Sequence, residues 1–297
     1  MKNKKSVLII VIFIIVFAVI LYSSRTKKET VFEDYTSAGE NVRSQLEMHK
    51  EKFSLTCKTT DYNVILGATF VFNKILKEAF THSGKPEQGD HLVLLLTNYE
   101  IDCYVNDNKD ESKNLLLKVK PVYRTTNEQE LELAEKAAEI LRSLHIDGAS
   151  DHDKALAIYR YICDNVTYDY SHLDDDSYPL QYSAYAAAIK GTAVCAGIAD
   201  LFYYLANSAG LDARIKWNST HAWNYVRVDG QYYYADATWD LGKSETEYEY
   251  FLKGSVDFEN HIGNINLDLF DFHKQLSHDF LNYDISPWSY GYDPHAS

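Results

Sequence analysis

Proline is scarce in this 297-residue chain, with 5 residues, and no stretch is internally repeated or of low complexity. Collagen-like and solenoid architectures are therefore excluded. There is no C-x-x-C and no H-E-x-x-H. The four cysteines, Cys57, Cys103, Cys163 and Cys195, follow no zinc-ligand spacing, so no metal or other cofactor is indicated. An EF-hand pattern is also missing, which leaves Asp174-Asp175-Asp176 as a solvated acidic loop rather than a calcium site. Beyond the first residues, basic charge is in deficit. The formal charge is −14, yet residues 1–30 hold six basic groups against one acid, so the remainder carries about −19. Such a body repels phosphate backbones, and nucleic acid is excluded as a partner.

What is present begins with 16 consecutive apolar residues at positions 7–22, preceded by Lys2, Lys4 and Lys5. This is a membrane-insertion signal, near the lower limit of the roughly 17–25 residues that span a bilayer. The exit Leu21-Tyr22-Ser23-Ser24 lacks a small-x-small cleavage site, which favours an uncleaved anchor over a signal peptide removed on export. No cysteine lies near it, so a lipoprotein anchor is excluded. The reading is a single-pass cell-membrane protein with its C-terminal part outside, or a secreted one if the segment is cleaved. An exported chain can form disulfides. Cys57 and Cys103 are candidates for one bridge, two buried free thiols being the alternative.

Four regions follow: residues 1–24 as a signal anchor, 25–52 as a linker turning helical toward Lys50, 53–125 as a small α+β domain, and 126–297 as the domain that carries chemistry. Within 53–125, residues 53–58 alternate as a strand. Residues 64–80 have helical spacing, and 91–105 and 115–123 read as strands. Asn127 followed by Glu130 resembles a capping box. Leu131, Ala134, Ala138, Leu141 and Leu144 then form a helical stripe. A second helix, capped by Ser150 or Asp151, turns Ala155, Ile158, Tyr159, Ile162 and Val166 inward, with Cys163 a core thiol beside them.

The chemistry lies between Tyr185 and Asp240. Gly191-Thr192-Ala193-Val194-Cys195-Ala196-Gly197 leads into a helix with Ile198, Leu201, Phe202, Leu205 and Ala209 on its apolar face, and Gly210 ends it. Cys195 therefore starts a helix, where unpaired N–H groups and the positive end of the helix dipole favour a thiolate. Residues 221–228 and 231–238 are strand-like and joined by Asp229-Gly230, a strong two-residue hairpin signal. That loop makes residue 228 face 231 and 223 face 236. His221 and Asp236 then become diagonal neighbours on one sheet face, about 7–8 Å apart in backbone and within side-chain reach. A carboxylate so placed orients an imidazole, and the imidazole takes the proton of a thiol.

These three segments, ending in Tyr234-Ala235-Asp236-Ala237-Thr238-Trp239-Asp240, resemble the core motifs of the transglutaminase-like superfamily over residues 126–260. The resemblance implies an α+β, papain-like fold with a Cys-bearing helix packed on an antiparallel sheet. It makes Cys195 the nucleophile, His221 the general base and acid, and Asp236 the orienting carboxylate. An oxyanion hole is also required, for which the Cys195 N–H and the Tyr185 hydroxyl are candidates. The implied activity is acyl transfer or hydrolysis on protein or peptide amides through a thioester, with cell-wall or surface proteins as partners. A non-catalytic protein- or glycan-binding module on the same fold is the alternative. The 24 tyrosines suit a peptide or glycan cleft as well as ordinary packing.

Overall fold

The computed structural model describes residues 30–62, 67–173, 175, 177–218, 220–258 and 283–291. The apolar segment 7–22, together with Asp174 and Asp176 of the acidic run, lies outside the described residues. Among the described residues no helix is long and apolar enough to cross a membrane.

The first half is a four-stranded sheet flanked by helices. Strand β1 (Val31–Phe32) runs parallel to β2 (Phe53–Thr59). β2 pairs antiparallel with β4 (Lys113–Tyr123), and β4 with the edge strand β3 (Leu96–Asp107). Helix α1 (Tyr35–Glu47) falls in the span assigned to a linker. Ala38, Val42 and Leu46, four residues apart, turn one stripe of it into the core, and Asp34 caps its start by accepting from the Ser37 N–H at 2.7 Å. Helix α2 (Gly67–Ala79) buries Val71, Phe72, Ile75 and Leu76.

The run 91–105, read as a strand, divides. Asp90–Leu95 is a short helix, α3, before the chain extends into β3. A short apolar run does not distinguish strand from buried helix, and here the whole helix is buried. The open disulfide question is settled by topology. Cys57 sits opposite Leu115 and Cys103 opposite Leu117, so β4 separates them, and all four cysteines are free. Strands two apart lie roughly 9–10 Å from each other, beyond the 7 Å or so that a disulfide tolerates.

The second half is built around a buried helix. Helix α4 (Asn127–Leu144) starts with a capping box one residue earlier than the sequence pattern indicated, Thr126 with Gln129. Its core stripe is Leu133, Ala137 and Ile140, while Leu131 is exposed. Glu130, released from capping, reaches Thr125 and His91 instead. Helix α5 (Asp151–Asn165) is capped by Ser150 and buries Ala155, Ile158, Tyr159, Ile162 and Cys163. Two short parallel strands, β5 (Thr167–Tyr168) and β6 (Thr192–Ala193), precede helix α6 (Cys195–Ser208). Every residue of α6 from Cys195 to Asn207 is buried, so it behaves as a core helix rather than an amphipathic one. Gly210, at φ +81°, closes it.

The antiparallel sheet β7 (Asp212–Trp217), β8 (Ala222–Val228) and β9 (Gln231–Ala235) packs on α6. Asp229 and Gly230 both take positive φ, as a primed two-residue turn requires, and Val228 faces Gln231. The ladder ends at Asn224 opposite Ala235. A short helix, α7 (Ala237–Asp240), follows.

Candidate active site

Cys195 is the first residue of α6. Its N-cap, Val194, offers no side-chain acceptor, so the first-turn N–H groups keep their positive potential for whatever the sulfur carries or binds. Helix and sheet are held in register by Asn224, whose amide donates to the carbonyls of Ala199 (2.9 Å) and Arg214 (3.1 Å). This tie fixes the β7–β8 connection above the helix start. There the Asn218 side chain accepts from the N–H groups of Thr220 and His221, and the Asn218 N–H donates to the His221 carbonyl, closing the turn that presents the imidazole.

His221 Nε2 lies 2.5 Å from Asp236 Oδ2. The other carboxylate oxygen accepts from the Thr238 N–H at 2.9 Å, so Asp236 both caps α7 and holds the ring. With Nε2 engaged, Nδ1 is the ring nitrogen left for Cys195, which lies close enough to favour charge on the imidazole. Burial opposes charge on this imidazole. The bond to Asp236, with Cys195 close by, outweighs it, and the pKa is raised to about 10. Trp223 stacks on the ring and Trp239, half exposed, tilts over it. The structure thus brings Cys195, His221 and Asp236 together. His221 and Asp236 lie just beyond the ladder rather than in it, because Asp236 turns the chain into α7.

A second layer fixes Asp236. Its N–H donates to the Tyr250 carbonyl, and its own carbonyl accepts from the Tyr159 hydroxyl at 2.7 Å. The same hydroxyl reaches Asp240, fully buried, whose carboxylate gathers the N–H groups of Glu249 and Tyr250 and the Lys243 ammonium. Asp240 stands in the third motif, but spacing alone gave it no role.

Tyr185 is not at the site. Its hydroxyl donates to Glu132 at 2.7 Å, and its ring belongs to the core beneath α4. The tyrosine beside Cys195 is Tyr168, which pairs with Ala193 and packs against the apolar cluster that holds Cys195. No periodicity marks it, since β5 is two residues long and its pairing with β6 is purely tertiary. Tyr168, Tyr170, Leu173, His221, Thr238 and Trp239 line an open cleft of about 750 Å³. Among the described residues no group of His, Cys, Asp and Glu is placed to hold a metal ion.

A fold of this kind, with a cysteine at a helix start facing a sheet-borne histidine and aspartate, is that of the papain-like α+β proteins. Residues 123–237 match the model of the transglutaminase-like superfamily, and the chain carries a domain of that superfamily there. Members of this superfamily in general carry out cysteine-dependent acyl transfer or hydrolysis. A solved structure described as the crystal structure of a TGase is similar, with a TM-score of 0.34 and 15% identity, over 80% of this chain. This chain spans 65% of that one. No curated protein matches the chain.

Proposed function

We propose that this cleft breaks protein or peptide amides by acyl transfer to Cys195, passing the acyl group on to an amine or to water. The observation that carries the reading is the position of His221, hydrogen-bonded to Asp236 and close enough to Cys195 for the sulfur to favour charge on the ring. In the reaction the imidazole takes the thiol proton and leaves the charge on sulfur. Sulfur attacks the amide carbonyl, the adduct collapses to a thioester, and the departing nitrogen takes its proton from His221. An amine or water, deprotonated by the same ring, then releases the acyl group. Asp236 keeps Nε2 protonated and Nδ1 facing sulfur throughout.

The acceptor is set by which molecule reaches the thioester through the open cleft. The basic start and the apolar segment 7–22 support a place at the cell surface, with wall or surface proteins as substrates. The test is release of ammonia or amine from glutamine- or peptide-amide substrates by the purified chain. Wild type turns over, while Cys195→Ala and His221→Ala, folded by circular dichroism, do not. Equal turnover by either variant would remove the assignment.

A further inference from the structure

Three large apolar side chains stand in solvent on one cleft. Tyr170 is 79% exposed, Trp239 51% and Leu173 44%, and all three line the opening that His221 also lines. A single exposed apolar side chain is ordinary on a protein surface. A group of them around a concave site marks where a ligand covers them. These three are also held in place. Tyr170 and Leu173 flank a turn tied down from inside. Asp169, buried, accepts from the Ser171 hydroxyl at 2.7 Å, the His172 N–H at 3.2 Å and the His172 ring at 2.8 Å. The buried Gln181 amide donates to the His172 carbonyl at 2.6 Å, and the Asp169 N–H to the Ala193 carbonyl at 3.0 Å. The polar groups of the turn are thus engaged inward, while its two apolar side chains are left on the cleft. The Tyr170 ring leans on Tyr168 with centroids 4.8 Å apart, and Trp239 is braced edge to face by Tyr250 at 5.2 Å. An apolar surface fixed in advance loses little entropy when it is covered.

The charge of the cleft is one-sided. Asp164, exposed near the end of α5, is the one carboxylate that lines it among the described residues, and no lysine or arginine does. We propose that this rim selects the substrate: it takes an amide whose neighbouring side chain is large and apolar, seated on Tyr170, Leu173 and Trp239, and Asp164 turns away an acidic one. This deepens the reading above and rests on Cys195 being the nucleophile. The four are specificity-determining residues and take no part in proton transfer. An apolar side chain that leaves water for the rim binds there, and that binding holds the reacting carbonyl near sulfur. A carboxylate in the same place meets the charge of Asp164, a repulsion that solvent and salt partly screen.

The experiment uses the full chain and labels that carry the side chain next to the reactive carbonyl: the N-iodoacetyl derivatives of leucine amide, lysine amide and glutamate amide, with iodoacetamide as reference. The rate of labelling at Cys195, mapped by mass spectrometry, is divided by the rate with glutathione to remove intrinsic reactivity. The leucine label should exceed iodoacetamide about 10-fold. The glutamate label should fall about 3-fold below the lysine label at low salt, and the gap should close at high salt or in Asp164→Asn. Tyr170→Ala combined with Leu173→Ala should cut the leucine preference to about 2-fold or less. Both side chains are exposed, so the variant keeps its core, and because the preference is a ratio, a general loss of reactivity cancels. Tyr104→Ala removes an equally exposed ring on β3, away from the cleft, and should keep the preference. A leucine preference that is missing, or that survives the double variant, overturns the apolar rim and leaves the nucleophile standing. A glutamate label as fast as the lysine label at low salt removes the part given to Asp164. A Cys195 that no label marks removes the nucleophile, and this inference falls with it.

Discussion

Replacing Asp236 by asparagine changes one oxygen for an NH2 group, and the geometry states where that matters. Both carboxylate oxygens are engaged: Oδ1 accepts from the Thr238 N–H at 2.9 Å, and Oδ2 from His221 Nε2 at 2.5 Å. Asparagine has a single acceptor. If its oxygen stays with Thr238, its NH2 faces Nε2, and only an imidazole with a lone pair there accepts it. The remaining proton then sits on Nδ1, so the ring offers the thiol no base. If the amide flips, the NH2 opposes the Thr238 N–H inside a buried turn, which costs about 1–3 kcal/mol. The variant also loses the charge that offsets burial of the imidazolium. Removing a contacting opposite charge moves a pKa by about 1–3 units. His221 should therefore titrate well below the wild-type value of about 10.

The linkage to stability has a definite sign. His221 is raised from 6.5 to about 10 in the fold, so its contribution is complete below 6.5 and is lost as the pH rises toward 10. Removing the Asp236 charge should cost about 1–4 kcal/mol near pH 6 and progressively less above pH 8. The assays are an NMR titration of the His221 Cε1 proton and thermal unfolding at pH 6 and pH 10. Turnover should fall by about 10²–10⁴. An asparagine variant whose His221 titrates as in wild type, with unchanged activity, would refute the coupling argument.

Iodoacetamide at neutral pH should mark Cys195 before the other thiols, because burial raises Cys163 to about 12 and Cys57 to about 11; mapped peptides report the order. Gly197→Ala would set a methyl 2.8 Å from the carbonyls of Gln181 and Ser183, and should lower stability by about 1–3 kcal/mol in a denaturant titration. Arg214→Ala strips Asp90 of its buried bidentate partner and should cost about 3–5 kcal/mol, or a Tm roughly 10 °C lower by calorimetry. Protease added to intact cells should digest residues 31–297, and full protection would place them inside.

The hairpin that carries His221 toward Asp236 was legible because it is written locally. Asp229-Gly230 selects the turn, the turn selects the register, and Asn224 indeed faces Ala235 as that register demands. Its end was not legible, since the bond from the Thr238 N–H to Asp236 competes with the ladder and wins. The cysteine-bearing helix was readable from Gly197 to Gly210, but not its complete burial, which depends on elements from both halves of the chain. Tyr168 is placed by its pairing with Ala193 and Asp240 by tertiary hydrogen bonds, and nothing in their neighbours' spacing announces these. The helix 90–95 was hidden by an apolar run compatible with either geometry, and with it the pairing of Asp90 with Arg214 and of His91 with Asp200.

Those last bonds bear on what residues 30–123 do for the site. His91 is buried between Asp200 of α6 (2.9 Å) and Glu130 of α4 (2.9 Å). Burial disfavours its charge, yet the two carboxylates prevail and raise its pKa well above the usual value, so it bridges three elements as a cation. One helical turn further on, the Tyr203 hydroxyl donates to the Gln88 carbonyl at 2.8 Å. The apolar cluster of the first sheet continues without a break through Ala196, Ala199 and Tyr203 to Ile215, Trp217 and Ala222, with Cys195 among its members. The face of α6 toward the first half is thus packed against α3 and its neighbours, and the opposite face against α5 and the core of the second half. A nucleophile at the start of such a helix is positioned from both sides. Loosening α3 would expose apolar surface along α6 and free the strand β7 that Asp90 holds, and β7 is the strand that leads into the His221 turn. The first half is in this sense part of the machinery that sets the distance between sulfur and imidazole, although among the described residues none of its side chains lines the cleft.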